Sequence, residues 1–156
     1  MSPKRWWGRL AFALSLAGLG DSTYLTVDHF TGTPPVCSAT AIVNCVKVTT
    51  SAQSRFIGIP VAVLGLAFFA AMVVLNWPAL WQSASKLLAR LRLLATGVGI
   101  VFVVYLLSAE LFVIKAICLW CTGVHVVTFA LFVLTAATWP ALEARSSGAP
   151  QAVQAA

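Results

Sequence analysis

The chain has 156 residues, of which 60% are hydrophobic and only 9% are charged. A soluble domain of this size does not need so large an apolar fraction, so the composition indicates an integral membrane protein. The net charge of +6 does not predict nucleic-acid binding, because the basic residues lie beside apolar segments, where membrane topology accounts for them.

Four windows are long enough to cross a bilayer as helices, which takes about 20 mostly apolar residues. They cover residues 7–27, 59–77, 93–114 and 117–139. Pro60 suits the first turn of the second span. The predicted fold is therefore all-α: a polytopic membrane four-helix bundle, followed by a tail. A cleavable signal peptide is the alternative for the first window, although no clear small-x-small cleavage site follows it.

The two predicted regions are residues 1–140, the membrane domain, and 141–156, a disordered cytoplasmic tail rich in Ala, Ser, Gly and Gln. Tryptophans fall near the predicted span ends, Trp120 among them, as interfacial anchors do.

The distribution of basic residues predicts the orientation of the spans. With the N-terminus inside, the cytoplasmic segments carry seven basic residues: Lys4, Arg5, Arg9, Lys86, Arg90, Arg92 and Arg145. The opposite side carries three: Lys47, Arg55 and Lys115. The positive-inside rule then predicts a multi-pass cell-membrane protein with both termini cytoplasmic. The loop of residues 28–58 and all four cysteines are exoplasmic, in the compartment where disulfides persist.

The cysteines form two pairs. Cys118 and Cys121 make a CxxC at the start of the fourth span, and Cys37 and Cys45 lie in the long polar loop. A helix N-terminus favours a thiolate, and we expect this effect to matter most when electrons leave the pair, because the charge is then concentrated on Cys121. Two pairs on one side predict thiol–disulfide exchange. The alternatives are structural disulfides, a metal site formed by all four cysteines, or inert thiols.

The electrons that reach the CxxC need an acceptor. Residue 122 is Thr, so there is no haem-binding CxxCH, and no Rossmann glycine fingerprint occurs. A lipid-soluble quinone is the most economical acceptor, because a helix bundle can hold a flat ring between its helices. Neither a metal nor a tightly bound prosthetic group is predicted.

The ordered combination of motifs resembles the vitamin K epoxide reductase family, in its bacterial branch, from about Gly18 to Trp139. The stretches that carry the resemblance are Cys37 with Cys45, Val48 and Ser51, Phe56-Ile57-Gly58-Ile59-Pro60, and Cys118-Leu-Trp-Cys121-Thr-Gly-Val-His125.

The resemblance implies that Cys118 and Cys121 are the active-site pair, with Cys121 facing the quinone. It implies that Cys37 and Cys45 are a loop shuttle, with Cys45 bridging transiently to Cys118. Ser51 matches a hydroxyl position of the family. A short helix near residues 51–58 would cap the bundle on its exoplasmic side. The implied partners are menaquinone or ubiquinone and a separate thioredoxin-like, DsbA-like dithiol protein, and the implied role is disulfide formation in exported proteins.

Three polar residues near the spans are further candidates. His125 follows Cys121 by one helical turn and could bind a quinone carbonyl or tune the thiolate, or it could form an interhelical hydrogen bond. Glu110 is a candidate support residue, with a Glu110–Lys115 or Glu110–backbone contact as the alternative. Asp21 takes a polar partner inside the bundle or marks a water-accessible pocket.

Overall fold

The computed structural model describes residues 3–37, 40, 42–83 and 85–146, and most of these residues are helical. Among these residues, three helices are long and apolar enough to cross a membrane: Trp6–Thr31, Lys86–Ile114 and Leu119–Pro140. The protein is therefore an all-α membrane protein, as the composition predicts.

The elements follow one another in a simple order. The long first helix is α1 (Pro3–Thr31), and the loop after it carries a short helix, α2 (Cys45–Thr49). A 3-10 turn (Ala52–Ser54) and a small antiparallel hairpin, β1 (Arg55–Phe56) and β2 (Ile59–Pro60), lead into α3. The remaining helical elements are α3 (Val61–Leu75), α4 (Pro78–Gln82), α5 (Lys86–Ser108), a π-helical segment (Ala109–Ile114) and α6 (Leu119–Ser146).

The second predicted span is shorter than expected. Helix α3 has 15 residues and rises about 22 Å, less than the roughly 30 Å of a bilayer core. Pro60 lies just before its first residue, as its N-cap, and Asn76 ends it. The chain then continues through α4, whose first residue is Pro78.

The segment of residues 51–58 differs from the short helix implied by the family resemblance. The α-helix of this loop is α2, which lies before residues 51–58 and begins where the Asn44 side chain accepts a hydrogen bond from the Lys47 N–H (3.0 Å). Within 51–58 the chain forms the 3-10 turn and most of the hairpin. Ile57 and Gly58 both have positive φ, which fits the two-residue turn of a tight hairpin.

The core lies where α1, α3 and α6 pack together. Ala11, Phe69, Met72, Leu131 and Leu134 form its buried cluster. A side chain at Gly18 would overlap the Phe69 ring, so this glycine allows α1 and α3 to approach closely. Helix α5 packs mainly along α6.

The end of α3 is closed by a buried polar network, which we call the opposite end: Ser15, Asn76, Trp81 and Arg92. Asn76 donates to Ser15 Oγ (3.0 Å) and accepts from Trp81 Nε1 (3.1 Å). Arg92 Nε donates to the Leu75 carbonyl (2.9 Å), and its guanidinium lies 4.8 Å from the Trp81 ring centroid. The last carbonyls of a helix that ends within a membrane need such partners.

One residue and one segment used in the sequence-based predictions lie in this region. Arg92, one of the basic residues used to predict the orientation, is only 3% exposed inside the packed helices. Helix α6 continues to Ser146, and the predicted tail of residues 141–156 stays a prediction, because residues 147–156 lie outside the described residues.

Candidate redox site

The polar loop is attached to the start of α6 through main-chain hydrogen bonds. Ile117 N–H donates to the Ile42 carbonyl (2.9 Å), and Asn44 N–H donates to the Ile117 carbonyl (3.0 Å). Val43 and Ile117 thereby form a parallel β-bridge. This bridge puts the residue before Cys45 beside the residue before Cys118.

A second attachment holds the loop next to Cys37. Trp120 Nε1 donates to the Val36 carbonyl (2.9 Å), and the Val36 N–H donates to the Tyr24 hydroxyl (2.9 Å). The rings of Tyr24 and Trp120 are also in contact, with centroids 4.6 Å apart. Both main-chain groups of Val36 are therefore bound by side chains from α1 and α6.

The two attachments bring all four cysteines into one cluster, which we call the cysteine end: Cys37, Cys45, Cys118 and Cys121. Cys45 and Cys118 are buried together with Val48, and Cys37 and Cys121 pack against them. Cys37 and Cys45 are joined by a disulfide, whereas Cys118 and Cys121 are free thiols. The loop pairing implied by the resemblance is confirmed.

The CxxC begins α6 as predicted, and the helix start favours a thiolate within it. The backbone N–H of Cys121 donates to Cys118 Sγ (3.3 Å). The pKa of Cys118 is lowered, chiefly by a hydrogen bond from the Cys121 side chain and further by backbone N–H groups, although burial opposes the shift. The Cys121 side chain and the N–H groups at the helix start therefore favour a thiolate at Cys118.

A cavity of about 440 Å³ opens beside the Cys121 thiol. Cys121 lines it, together with the three predicted support residues His125, Ser51 and Glu110. Its walls are otherwise mainly apolar, with contributions from Leu64, Phe68, Phe69, Val98, Phe102 and Leu106.

Several polar groups on the cavity wall have no partner. Glu110 Oε2, His125 Nδ1 and Ser22 Oγ are buried and form no hydrogen bond within the described part of the protein. Such groups are costly to bury unless a ligand or water satisfies them. Apolar walls with a few unpartnered polar atoms fit a flat ring that carries two carbonyl oxygens and a hydrocarbon chain, which is the chemistry of a quinone.

Ser51 is less available than His125 and Glu110. Its hydroxyl donates to the Val48 carbonyl (2.7 Å), and its own carbonyl accepts from the Ser54 hydroxyl (2.7 Å). It therefore joins α2 to the 3-10 turn as well as lining the cavity.

Comparison with known proteins agrees with this geometry. A family model described as Vitamin K epoxide reductase family matches residues 9–136. The chain belongs to this family. No curated protein matches the chain.

Members of the vitamin K epoxide reductase family are oxidoreductases that couple thiol–disulfide chemistry to quinones, generally with thioredoxin-like partners, in a membrane. Among the described residues, no group of three or more His, Cys, Asp or Glu side chains is arranged to hold a metal ion.

Asp21 lies close to the CxxC, within the family's matched region. Its Oδ2 is 2.8 Å from where a Cβ at residue 123 would stand, so Gly123 leaves room for the carboxylate beside the first turn of α6. Its Oδ1 is buried without a partner. The polar partner expected from the sequence is not found for Oδ1 among the described residues.

Two residues of this site were not identified from the sequence. Trp120 was interpreted as a membrane anchor, and Tyr24 had no assigned role, yet both bind Val36. The available signal was spacing: Asp21, Tyr24 and Asp28 recur at intervals of three and four residues, which puts them on one face of α1.

Proposed function

We propose that the protein is a membrane thiol–disulfide:quinone oxidoreductase that oxidises a thioredoxin-like dithiol protein and reduces a quinone. The observation that carries this proposal is the cysteine end itself. A disulfide-bonded loop pair packs against a free CxxC pair, and Cys121 lines an apolar cavity with unpartnered polar atoms. The activity would drive disulfide formation in exported proteins.

The first step is an exchange at the loop. A thiolate of the partner attacks Cys37, and the electron pair of the broken bond goes to Cys45. Exposure supports this direction, because Cys37 is partly exposed whereas Cys45 is only 1% exposed. The partner's second thiol then attacks the mixed disulfide, which leaves the partner oxidised and the loop pair reduced.

The second step passes the two electrons to the CxxC in its disulfide form. The Cys45 thiolate attacks Cys118 and releases Cys121, and Cys37 then attacks Cys45, which restores the loop disulfide and frees Cys118. The main-chain bridge between Asn44 and Ile117 supports this transfer, because it holds the two sulfur-bearing segments side by side.

In the third step Cys121 gives up an electron pair as the Cys118–Cys121 disulfide forms again. A bound quinone would supply the oxidising power by accepting two electrons and two protons. His125, Glu110 and Ser51 would orient it, since all three line the cavity with Cys121. The Cys118 thiolate is the sulfur that closes the disulfide, in agreement with its lowered pKa.

The architecture proposed for this activity is a four-helix membrane bundle made of α1, α3, α5 and α6, over residues 1–140. The loop with α2 and the hairpin caps it on the exoplasmic side, and both termini are cytoplasmic. The acceptor is menaquinone or ubiquinone, and the dithiol partner is a separate DsbA-like protein.

The proposal is tested with purified, prereduced protein mixed anaerobically with menaquinone and ubiquinone analogues, while hydroquinone formation is followed. We expect reduction that continues only while a dithiol is supplied. Cys118→Ala and Cys121→Ala should each reduce it to the rate without enzyme, because neither can form the active-site disulfide.

Ser108→Ala is the matched control, since Ser108 is an exposed residue of α5 with a similar change in size. It should keep the wild-type rate. Normal turnover by Cys121→Ala, or cysteine pairs that stay oxidised whatever dithiol or quinone is added, would show that the disulfides are structural.

A further inference from the structure

The proposed quinone step leaves one chemical need unmet, which is a group that moves protons within a buried site. Reduction to hydroquinone consumes two protons, and the Cys121 thiol must lose its proton before its sulfur can donate electrons. Glu110 is the buried carboxyl group in the cavity wall, and it is only 3% exposed.

The backbone of the π-helical segment turns Glu110 inward. Ala109, Glu110 and Ile114 are buried, whereas the three residues between them, Leu111, Phe112 and Val113, are 53%, 77% and 62% exposed. Lys115 ends the segment in the left-handed conformation. Its N–H and that of Ala116 (3.1 Å) both donate to the Glu110 carbonyl. Single π-helical turns of this kind are frequent at functional sites.

The side chain of Glu110 connects the thiols with the cavity. Its carboxyl group lies near the backbone N–H of Cys118, and so beside the CxxC. Its Oε2 has no hydrogen-bond partner among the described residues. The negative charge of Glu110 acts on both Cys118 and Cys121, so one carboxyl group lies near the active-site backbone and also lines the cavity.

We propose that Glu110 is a catalytic proton carrier between Cys121 and the quinone. The ionised carboxylate takes the proton from the Cys121 thiol. The resulting carboxylic acid gives that proton to a quinone oxygen as the sulfur's electron pair arrives and the Cys118–Cys121 bond forms. The second proton comes from water and replaces the one that Cys118 released when it became a thiolate, so two electrons and two protons reach the acceptor.

Other titratable groups face the same space, and their titration must be distinguished from that of Glu110 in any pH profile. They are Asp21 and His29 from α1, and Cys121 and His125 from α6, with Cys118 just before that helix. Helix α3 contributes none, because Val61–Leu75 contains no ionisable residue.

The test is Glu110→Gln, which keeps the size and shape of the side chain but cannot carry a proton. We expect kcat for quinone reduction with a small dithiol to fall about 100-fold, the scale of general acid–base catalysis. The KM for the quinone should change less than about twofold, because binding geometry is kept. The limb of the kcat–pH profile that belongs to this carboxyl should also be lost.

Glu110→Asp should recover part of the lost kcat, because it keeps an acid at a shorter reach. Glu143→Gln is the matched control, since it changes the other glutamate of the chain, which lies near the far end of α6, and it should keep the wild-type rate. A measurement on the wild type does not depend on folding of any variant. Its time-resolved infrared difference spectrum, recorded while the reduced enzyme reacts with quinone, should contain a transient carboxyl protonation band.

This inference rests on the proposed function, and the two fail in different ways. A wild-type protein that reduces no quinone refutes the proposed function. A wild-type protein that does so, with Glu110→Gln within about threefold of its kcat, or without the transient carboxyl band in its time-resolved infrared spectrum, refutes only the role of Glu110. A raised KM with unchanged kcat would assign Glu110 to binding alone.

Discussion

The two ends of the helix assembly treat their buried polar groups in different ways. At the opposite end, Asn76 is hydrogen-bonded to both Ser15 and Trp81, and Arg92 donates to the last carbonyl of α3. At the cysteine end, polar atoms face a cavity without partners among the described residues. Closed networks stabilise a structure, whereas unsatisfied buried groups are retained at sites that act on a ligand.

The contrast extends to individual atoms. Within the part of the chain that the structure describes, six buried side-chain nitrogen or oxygen atoms have no hydrogen-bond partner. One of them is Nη2 of Arg92, at the opposite end. The other five belong to residues near the cysteine end: Asp21, Ser22, Asp28, Glu110 and His125. Variants at the cysteine end should therefore change chemistry, and variants at the opposite end should change stability.

The largest expected effect is at the loop pair. Cys45→Ala should lower oxidation of a protein dithiol at least about 100-fold, because the shuttle makes exchange with Cys118 intramolecular. A small dithiol reaches the CxxC directly, so its oxidation should change much less. The measurement is the ratio of the two rates in wild type and variant. Equal losses with both dithiols would mean that the loop pair is a structural staple.

The next effect tests the opposite end. Arg92→Met should lower the free energy of unfolding by about 2 kcal/mol, because it removes a charged hydrogen bond to the Leu75 carbonyl. It should leave kcat for quinone reduction unchanged. Arg90→Met on the exposed face of α5 is the matched control and should change stability by less than about 0.5 kcal/mol. A folded Arg92→Met protein with a low kcat would contradict the contrast between the ends.

The smallest expected effect is a change in the pH midpoint at which Cys118 is alkylated. Its pKa is lowered, so its thiolate should persist as the pH falls below the range of an ordinary cysteine. Cys121→Ala removes the largest cause, the side-chain hydrogen bond, while the backbone N–H remains. The pH midpoint for alkylation of Cys118, read by peptide mapping of the reduced protein, should then rise. An unchanged midpoint would show that the Cys121 thiol does not stabilise the thiolate.

The hydropathy pattern was sufficient for the class of fold, because lipid imposes long apolar helices on any chain that crosses it. It overestimated the length of α3, because the predicted span runs from residue 59 to 77 whereas the helix begins at Val61 and ends at Leu75. The pattern also could not identify the network of Ser15, Asn76, Trp81 and Arg92. Those residues come from separate parts of the chain, and only tertiary packing brings them together.

The candidate site was predictable to a similar degree. The cysteine spacing predicted the helix start at the CxxC and the chemistry of the pairs. The π-helical turn that directs Glu110 inward has no simple sequence signal, because a single polar residue among apolar ones fits a normal helix equally well. The roles of Trp120 and Tyr24 depend on a loop conformation that local patterns do not encode.

The bridge between Val43 and Ile117 has a consequence for how this enzyme would respond to mutation. Its bonds join peptide groups, so replacing Ile42, Val43 or Ile117 by alanine leaves every donor and acceptor in place. Proline at residue 44 or 117 deletes a donor and should detach the shuttle from its target. Alanine scanning would score this bridge as tolerant, although the proposed exchange between Cys45 and Cys118 depends on it.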